Sequence, residues 1–234
     1  MSRVEGAASA KLGGRELSRA ELADESVRWP TVAERILGVG HFTTFVQDDI
    51  TAPNGQTLTR EYLSHPGAVG IIALDADGRV AVVHQYRHAV RHRLVEPPAG
   101  LLDVDGEAYL VAAQRELAEE VGLAADTWQV LVEVFTTPGI VGESLRVYLA
   151  RDLRPTKAPD GFVASGEEAE MELGWAPLAD LVDAVLAGDV HNPTLVSGVL
   201  AAWAAQLKGD GFASLRPADA PWPARDGLRP GRAG

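Results

Sequence analysis

The sequence predicts an α/β (α+β) chain, and three observations predict it. Short runs rich in Val, Ile and Ala, such as 68–74 and 80–86, lie between turn residues and read as strands. Among them Leu110, Ala113, Leu117 and Val121 recur at helical spacing, about 100° per residue, and line up in one apolar stripe. Two further helical stretches, 175–187 and 193–207, follow the last strand-like segment.

Residues 1–27 are rich in Ala, Arg, Glu and Ser and read as a flexible tail, holding at most a frayed helix near 17–22. From 28 to 65 the pattern is strand-like: 41–46 carries Thr and Phe, and 56–63 follows the turn residues Pro53, Asn54 and Gly55. Two or three such strands bury little alone, so they must pack on the main domain or on another subunit. The main domain then runs over 66–210, and a Pro/Gly/Arg-rich segment, 211–234, reads as a disordered tail.

Within the main domain, 68–74 and 80–86 read as a central hairpin around the turn at 75–78. Arg87, His88, Arg91, His92 and Arg93 follow as a basic cluster in an acidic chain, read here as an anion-facing segment rather than a charge-balancing turn. Asp105 is the expected N-cap of the first helix, Gly106 and Glu107 its first turn, and Gly122 its left-handed end. Strands at 128–135 and 144–149 are joined by 136–143, TTPGIVGE, which Pro138 and Gly139 shape into more than a plain turn. The stretch 151–169 reads as irregular and leads into the acidic cluster Glu167, Glu168, Glu170 and Glu172. Pro177 opens the helix expected at 175–187, Asn192 caps the one at 193–207, and Trp203 is assigned to core packing.

The first helix carries the chemistry. Glu116 and Glu120 are four apart and stack one turn above the other, with Glu119 alongside. Like charges at that spacing repel by a few tenths of a kcal/mol, and the C-terminal end of a helix disfavours anions further. Arg115 best reaches Glu119, so no positive neighbour in sequence offsets the stacked pair fully. A divalent cation that prefers oxygen, Mg²⁺ or Mn²⁺, would resolve the conflict. The ordinary alternative is a solvated acidic face.

Composition narrows the classes. The formal net charge of −12 repels nucleic acid and anionic membranes, so an anionic substrate would need a metal and local arginines. The absence of cysteine excludes disulfides, thiol chemistry and zinc–cysteine sites. With no apolar run of membrane-spanning length and no apolar leader, a cytoplasmic location is the expectation.

Residues 96–123, EPPAGLLDVDGEAYLVAAQRELAEEVGL, resemble the Nudix box. Glu107, Arg115, Glu116, Leu117, Glu119, Glu120, Gly122 and Leu123 match it at the expected spacing. Gly100 stands one residue too far from Glu107, which implies one extra loop residue. Within that family the chain resembles the ADP-ribose pyrophosphatase branch over about residues 28–207, through GAVGII, QYRH with EPPAG, and Pro138 sixteen residues beyond Gly122. It is most similar to actinobacterial members, where the longer GLLDVxGE loop also occurs.

The resemblance implies a mixed sheet sandwiched between helices, a homodimer formed through the N-terminal strands, and hydrolysis of ADP-ribose to AMP and ribose 5-phosphate. It implies Mg²⁺, or Mn²⁺, on Glu116, Glu119, Glu120 and the carbonyl of Ala99. Arg60, Arg87, Glu96 and Glu143 are the implied substrate contacts. Glu168 is the implied general base, with Glu167 its competitor and Glu170 a third choice. Other nucleoside diphosphate sugars, NADH, flavins or coenzyme A stay open as substrates, as does a non-catalytic nucleotide-binding domain.

Overall fold

The computed structural model describes residues 14–157 and 171–228. The strands are β1 (Thr31–Val39), β2 (Thr44–Thr51), β3 (Thr57–Ser64), β4 (Ala68–Ala73), β5 (Arg79–Arg87), β6 (His92–Glu96) and β7 (Ala99–Leu101). Helix α1 (Tyr109–Val121) precedes β8 (Leu123–Phe135), β9 (Val141–Gly142), β10 (Ser144–Pro155) and β11 (Leu173–Pro177). Then come α2 (Leu178–Ala187), α3 (Pro193–Gln206), β12 (Arg216–Pro217) and α4 (Pro223–Asp226). Among the described residues no helix is long and apolar enough to cross a membrane.

A five-stranded mixed sheet, ordered β12-β8-β10-β4-β7, forms the centre; β4 runs parallel to β10 and β8 antiparallel to it. Strand alternation divides the core into two layers. Ile72, Leu145, Val147 and Leu149 face α2 and α3, where they meet Leu181, Leu195 and Val199. Val69, Ile71, Ala73, Tyr148 and Ala150, one residue out of phase, face α1 through Ala112, Ala113 and Leu117. The mixed sheet is therefore sandwiched between helices. Two smaller sheets flank it, β1-β2-β3-β9 and β11-β5-β6.

Several expectations are corrected. The strands at 68–74 and 80–86 are not a hairpin, since only a bridge between Leu74 and Val80 joins them before they part into different sheets. Both edges of β4 are taken, by β10 and β7, so β5 pairs with β6 and β11 instead. Residues 175–177 are strand, with Trp175 opposite Ala81. Pro177 disfavours helical backbone at the residue before it, so α2 starts only at Leu178. Strand β2 begins at Thr44 because the Gly40 N–H bonds the Thr43 carbonyl and closes a turn over 41–42. Strand β10 continues through 151–155, paired with β8 as far as Pro155 opposite Leu123. Helix α1 starts at Tyr109, not at Asp105: Gly106 takes φ 77° and Glu107 is drawn toward Arg115.

The segment from 211 is docked, not a disordered tail, as far as it is described. Strand β12 pairs with β8, and Trp222 is buried. The cause lies in Arg146, whose side chain is 1% exposed. A guanidinium in the core must find acceptors. It donates from Nε to Glu133 at 2.7 Å, from Nη1 to the Ala220 carbonyl at 2.9 Å and from Nη2 to the Pro221 carbonyl at 3.1 Å. Residues 14–27 hold one short 3-10 turn, Arg19–Leu22, with no buried residue.

Candidate active site

The last turns of α1 and the loop around β7 face each other across a cavity of about 530 Å³. Glu116, Glu119 and Glu120 line it from the helix, which Gly122 ends in the left-handed conformation at φ 64°. Pairing of β7 with β4 fixes the loop, and the Ala99 N–H donates to Glu120 Oε2 at 3.0 Å. A Cβ at Gly100 would lie 2.0 Å from the Glu116 carboxyl carbon, so the chain can pass here only without a side chain unless Glu116 moves.

Arg115 organises the carboxylates. Its Nη1 donates to Glu116 at 2.7 Å and to Glu119 at 3.0 Å, while Nε and Nη2 hold Glu107 at 3.0 and 3.1 Å. The bond to Glu107 and the charge of Glu116 push its pKa further up, against burial, so the cation is permanent. Arg115 therefore reaches Glu116 as well as the Glu119 that the spacing favours, while Glu120, the other member of the stacked pair, takes the Ala99 N–H.

Arg87 and Glu96 form a second fork on the opposite wall, Nε to Oε1 at 3.0 Å and Nη2 to Oε2 at 2.7 Å. Glu96 is 2% exposed, and the two-point bond satisfies its buried charge. Of the basic cluster only Arg87 lines the cavity; His88, Arg91, His92 and Arg93 are exposed around the turn beyond it. Glu143 accepts a bond from the Thr136 hydroxyl, and its other oxygen lies 3.3 Å from His65 Nδ1. That nitrogen also accepts the Gly67 N–H at 3.0 Å. Burial lowers the His65 pKa; Glu143 opposes that shift and Arg225 adds to it.

The cavity thus gathers Arg87, Glu96, Ala99, Glu116, Glu119, Glu120 and Glu143. Arg60 stands apart, exposed on β3, with Nη1 donating to the Thr59 carbonyl at 2.9 Å. Glu167, Glu168 and Glu170 lie outside the described residues. Sequence reasoning missed Phe42, His65, Gln85, Asn192 and Thr194, which also line the cavity. The sequence marks Asn192 only as a cap, a role it fills by accepting the Leu195 N–H at 2.9 Å. Nothing local marks the other four, which long-range pairing brings here.

The donor set is all oxygen, which fits Mg²⁺ or Mn²⁺. Among the described residues, no three acidic or histidine side chains are drawn together at metal-binding geometry, because Glu116 and Glu119 are turned to Arg115 and Glu120 to Ala99. The chemistry of the donors fits the ion, and their side chains would have to turn to receive it.

The NUDIX domain model matches residues 64–195, and the chain, with its mixed sheet between helices and its acidic helix facing a glycine loop, belongs to that family. Among its relatives is an ADP-ribose pyrophosphatase of Mycobacterium tuberculosis, 46% identical over 82% of this chain and 90% of that protein. Another ADP-ribose pyrophosphatase, of Bacillus subtilis, is 34% identical over 55% of this chain and 69% of that protein. A solved structure described as an ADP compounds hydrolase shares the fold, with a TM-score of 0.66 and 22% identity, over 82% of this chain and all of that one.

Proposed function

We propose that the chain hydrolyses the diphosphate bond of ADP-ribose to AMP and ribose 5-phosphate. The observation that carries this is the meeting of Glu116, Glu119 and Glu120 with the Arg87–Glu96 fork around one cavity. It occurs in a chain 46% identical to an ADP-ribose pyrophosphatase.

The oxygen donors of Glu116, Glu119, Glu120 and the Ala99 carbonyl would hold Mg²⁺, or Mn²⁺. Bound there, such an ion would supply positive charge against the diphosphate and acidify water for the attack. Arg115 keeps the carboxylates in place until they are needed. Arg87, fixed by Glu96 and with 43% of its side chain exposed, is presented to a phosphate or ribose oxygen. Glu143, held by Thr136, positions substrate or water. Glu168 accepts the proton of the attacking water, with Glu167 as the competitor.

A homodimer belongs to the same reading. Strand β1 leaves Val32, Ile36, Leu37 and Val39 exposed, an apolar face suited to a second copy, through which Arg60 would reach the partner's cavity. A monomer in sedimentation would remove that part. The reading also places the enzyme in the cytoplasm, where its nucleotide substrate would be met.

Product analysis on a panel of ADP-ribose, a second nucleoside diphosphate sugar, NADH, a flavin dinucleotide and coenzyme A tests the substrate. Preferred turnover of ADP-ribose, with AMP and ribose 5-phosphate as products, is expected. Equal or faster turnover of another member would reassign it, and binding without turnover would make the chain a nucleotide-binding domain.

A further inference from the structure

The cavity that holds the carboxylates has a second, neutral wall. Gln85, Asn192 and Thr194 line it, and each is only 8% exposed. The β4–β7 ladder stands between this wall and the acidic helix. A Cβ at Gly100, opposite Val69, would meet Glu116, whereas a Cβ at Gly70, opposite Ala99, would meet Thr194 Cγ2 at 2.2 Å. Neighbouring residues of a strand face opposite sides of the sheet, so Glu116 and Thr194 flank the ladder from its two faces. All of β7, the edge strand, lines the cavity, which therefore wraps round the sheet edge from one face to the other.

The polar atoms of this wall are uncommitted. Among the described residues nothing bonds the Gln85 amide or the Thr194 hydroxyl, and neither is among the unpartnered atoms sealed from solvent. Asn192 commits Oδ1 to the Leu195 N–H at 2.9 Å, which leaves its amide nitrogen, also unbonded and unsealed. Polar side chains this buried are rarely left without a partner in a native protein. Arg87, two residues beyond Gln85 on the same face of β5, is charge-balanced by Glu96.

The hydrogen-bonding character of the wall selects its occupant. Whichever way its amide is turned, Gln85 presents one donating and one accepting end; Thr194 can do either, and Asn192 only donates. A phosphate oxygen only accepts, so it would leave the Gln85 carbonyl opposed by another acceptor. Neighbouring hydroxyl groups both donate and accept. None of the three side chains offers a ring to a base, so the fitting sugar is one that carries none.

We propose that Gln85, Asn192 and Thr194 form the subsite for the hydroxyl groups of the terminal sugar, the one joined to the diphosphate on the side away from the nucleoside. The subsite rests on the reading above that the diphosphate lies at the carboxylates. A substrate whose second half lacks these hydroxyls leaves three buried polar groups unpaired, which makes the wall a determinant of specificity.

Isothermal titration calorimetry of the full chain with Mg²⁺ tests this. The probes are the methylene-bridged analogues of ADP-ribose and of ADP, which resist cleavage of the diphosphate and differ by the terminal ribose. Gln85→Met and Thr194→Val should each weaken the ADP-ribose analogue about tenfold, as loss of one hydrogen bond implies, and leave the ADP analogue within about twofold. Asn192→Ser, which keeps a capping oxygen, should do the same. Retained binding of the ADP analogue also shows that each variant is folded. Wild-type affinity for the ADP-ribose analogue in Gln85→Met and Thr194→Val overturns the subsite and leaves the proposed hydrolysis standing, since water alone would then fill the wall. Equal weakening of both analogues overturns it too, because the effect would not depend on the terminal sugar. A wild-type chain that binds neither analogue removes the proposed function and the subsite with it.

Discussion

Arg115 grips Glu107 at two points, Nε to Oε1 at 3.0 Å and Nη2 to Oε2 at 3.1 Å, while its remaining nitrogen holds Glu116 and Glu119. Glu107 lies before α1 and the other two in its last turns, so one side chain ties the loop to the acidic end of the helix. A lysine keeps the charge but loses the planar fork. Arg115→Lys is expected to lower stability by about 1–3 kcal/mol in denaturant unfolding. Turnover should fall by about a hundredfold as the carboxylates lose their positions. Wild-type stability and turnover would show that the fork is incidental.

The general base is tested by comparing Glu168→Gln with Glu167→Gln. Glu168→Gln should lose about 10²–10⁴-fold in turnover with metal binding retained, and Glu167→Gln much less. The assignment fails if the order is reversed.

His65 gives a pH dependence with a defined sign. Burial lowers its pKa in the folded chain, with Glu143 opposing and Arg225 reinforcing the shift. As the pH falls below about 6.5, the unfolded chain takes up more protons at this site than the folded one, so stability falls with it. His65→Gln should flatten that decline in the thermal unfolding midpoint between about pH 7.5 and 5. An unaltered slope would show that other groups govern it.

Trp222 is 4% exposed and closes over Arg146, whose guanidinium carbon lies 4.7 Å from the ring centroid. Trp222→Ala should therefore cost about 3–5 kcal/mol in urea unfolding. A cost below about 1 kcal/mol would mean that the C-terminal segment adds little to the core.

What was legible in the sequence follows the range of the interactions. The stacking of Glu116 on Glu120 is set by helix geometry within one turn, as is the left-handed end at Gly122, and both could be read locally. The alternate burial of Ile71 and Ile72 under different helices extends a simple strand period. The docking of Trp222 and the Pro221 carbonyl on Arg146 was not legible, because the partners are about 75 residues apart and the segment's composition resembles a tail. The parting of β4 from β5 depends on β10 and β7 taking both edges of β4, which no local pattern records. His65 reached the cavity in the same way. A histidine before a proline carries no signal of its Glu143 neighbour.

The central claim is that carboxylates on one turn of α1 hold a divalent cation for cleavage of a diphosphate. It is tested most directly by ADP-ribose turnover of wild type and Glu120→Gln with Mg²⁺, and of wild type in excess chelator. Rapid release of AMP and ribose 5-phosphate by wild type with Mg²⁺ is expected. A loss of several orders of magnitude is expected in the other two cases, with the Glu120→Gln protein still folded. Undiminished hydrolysis in chelator, or by Glu120→Gln, would contradict the account.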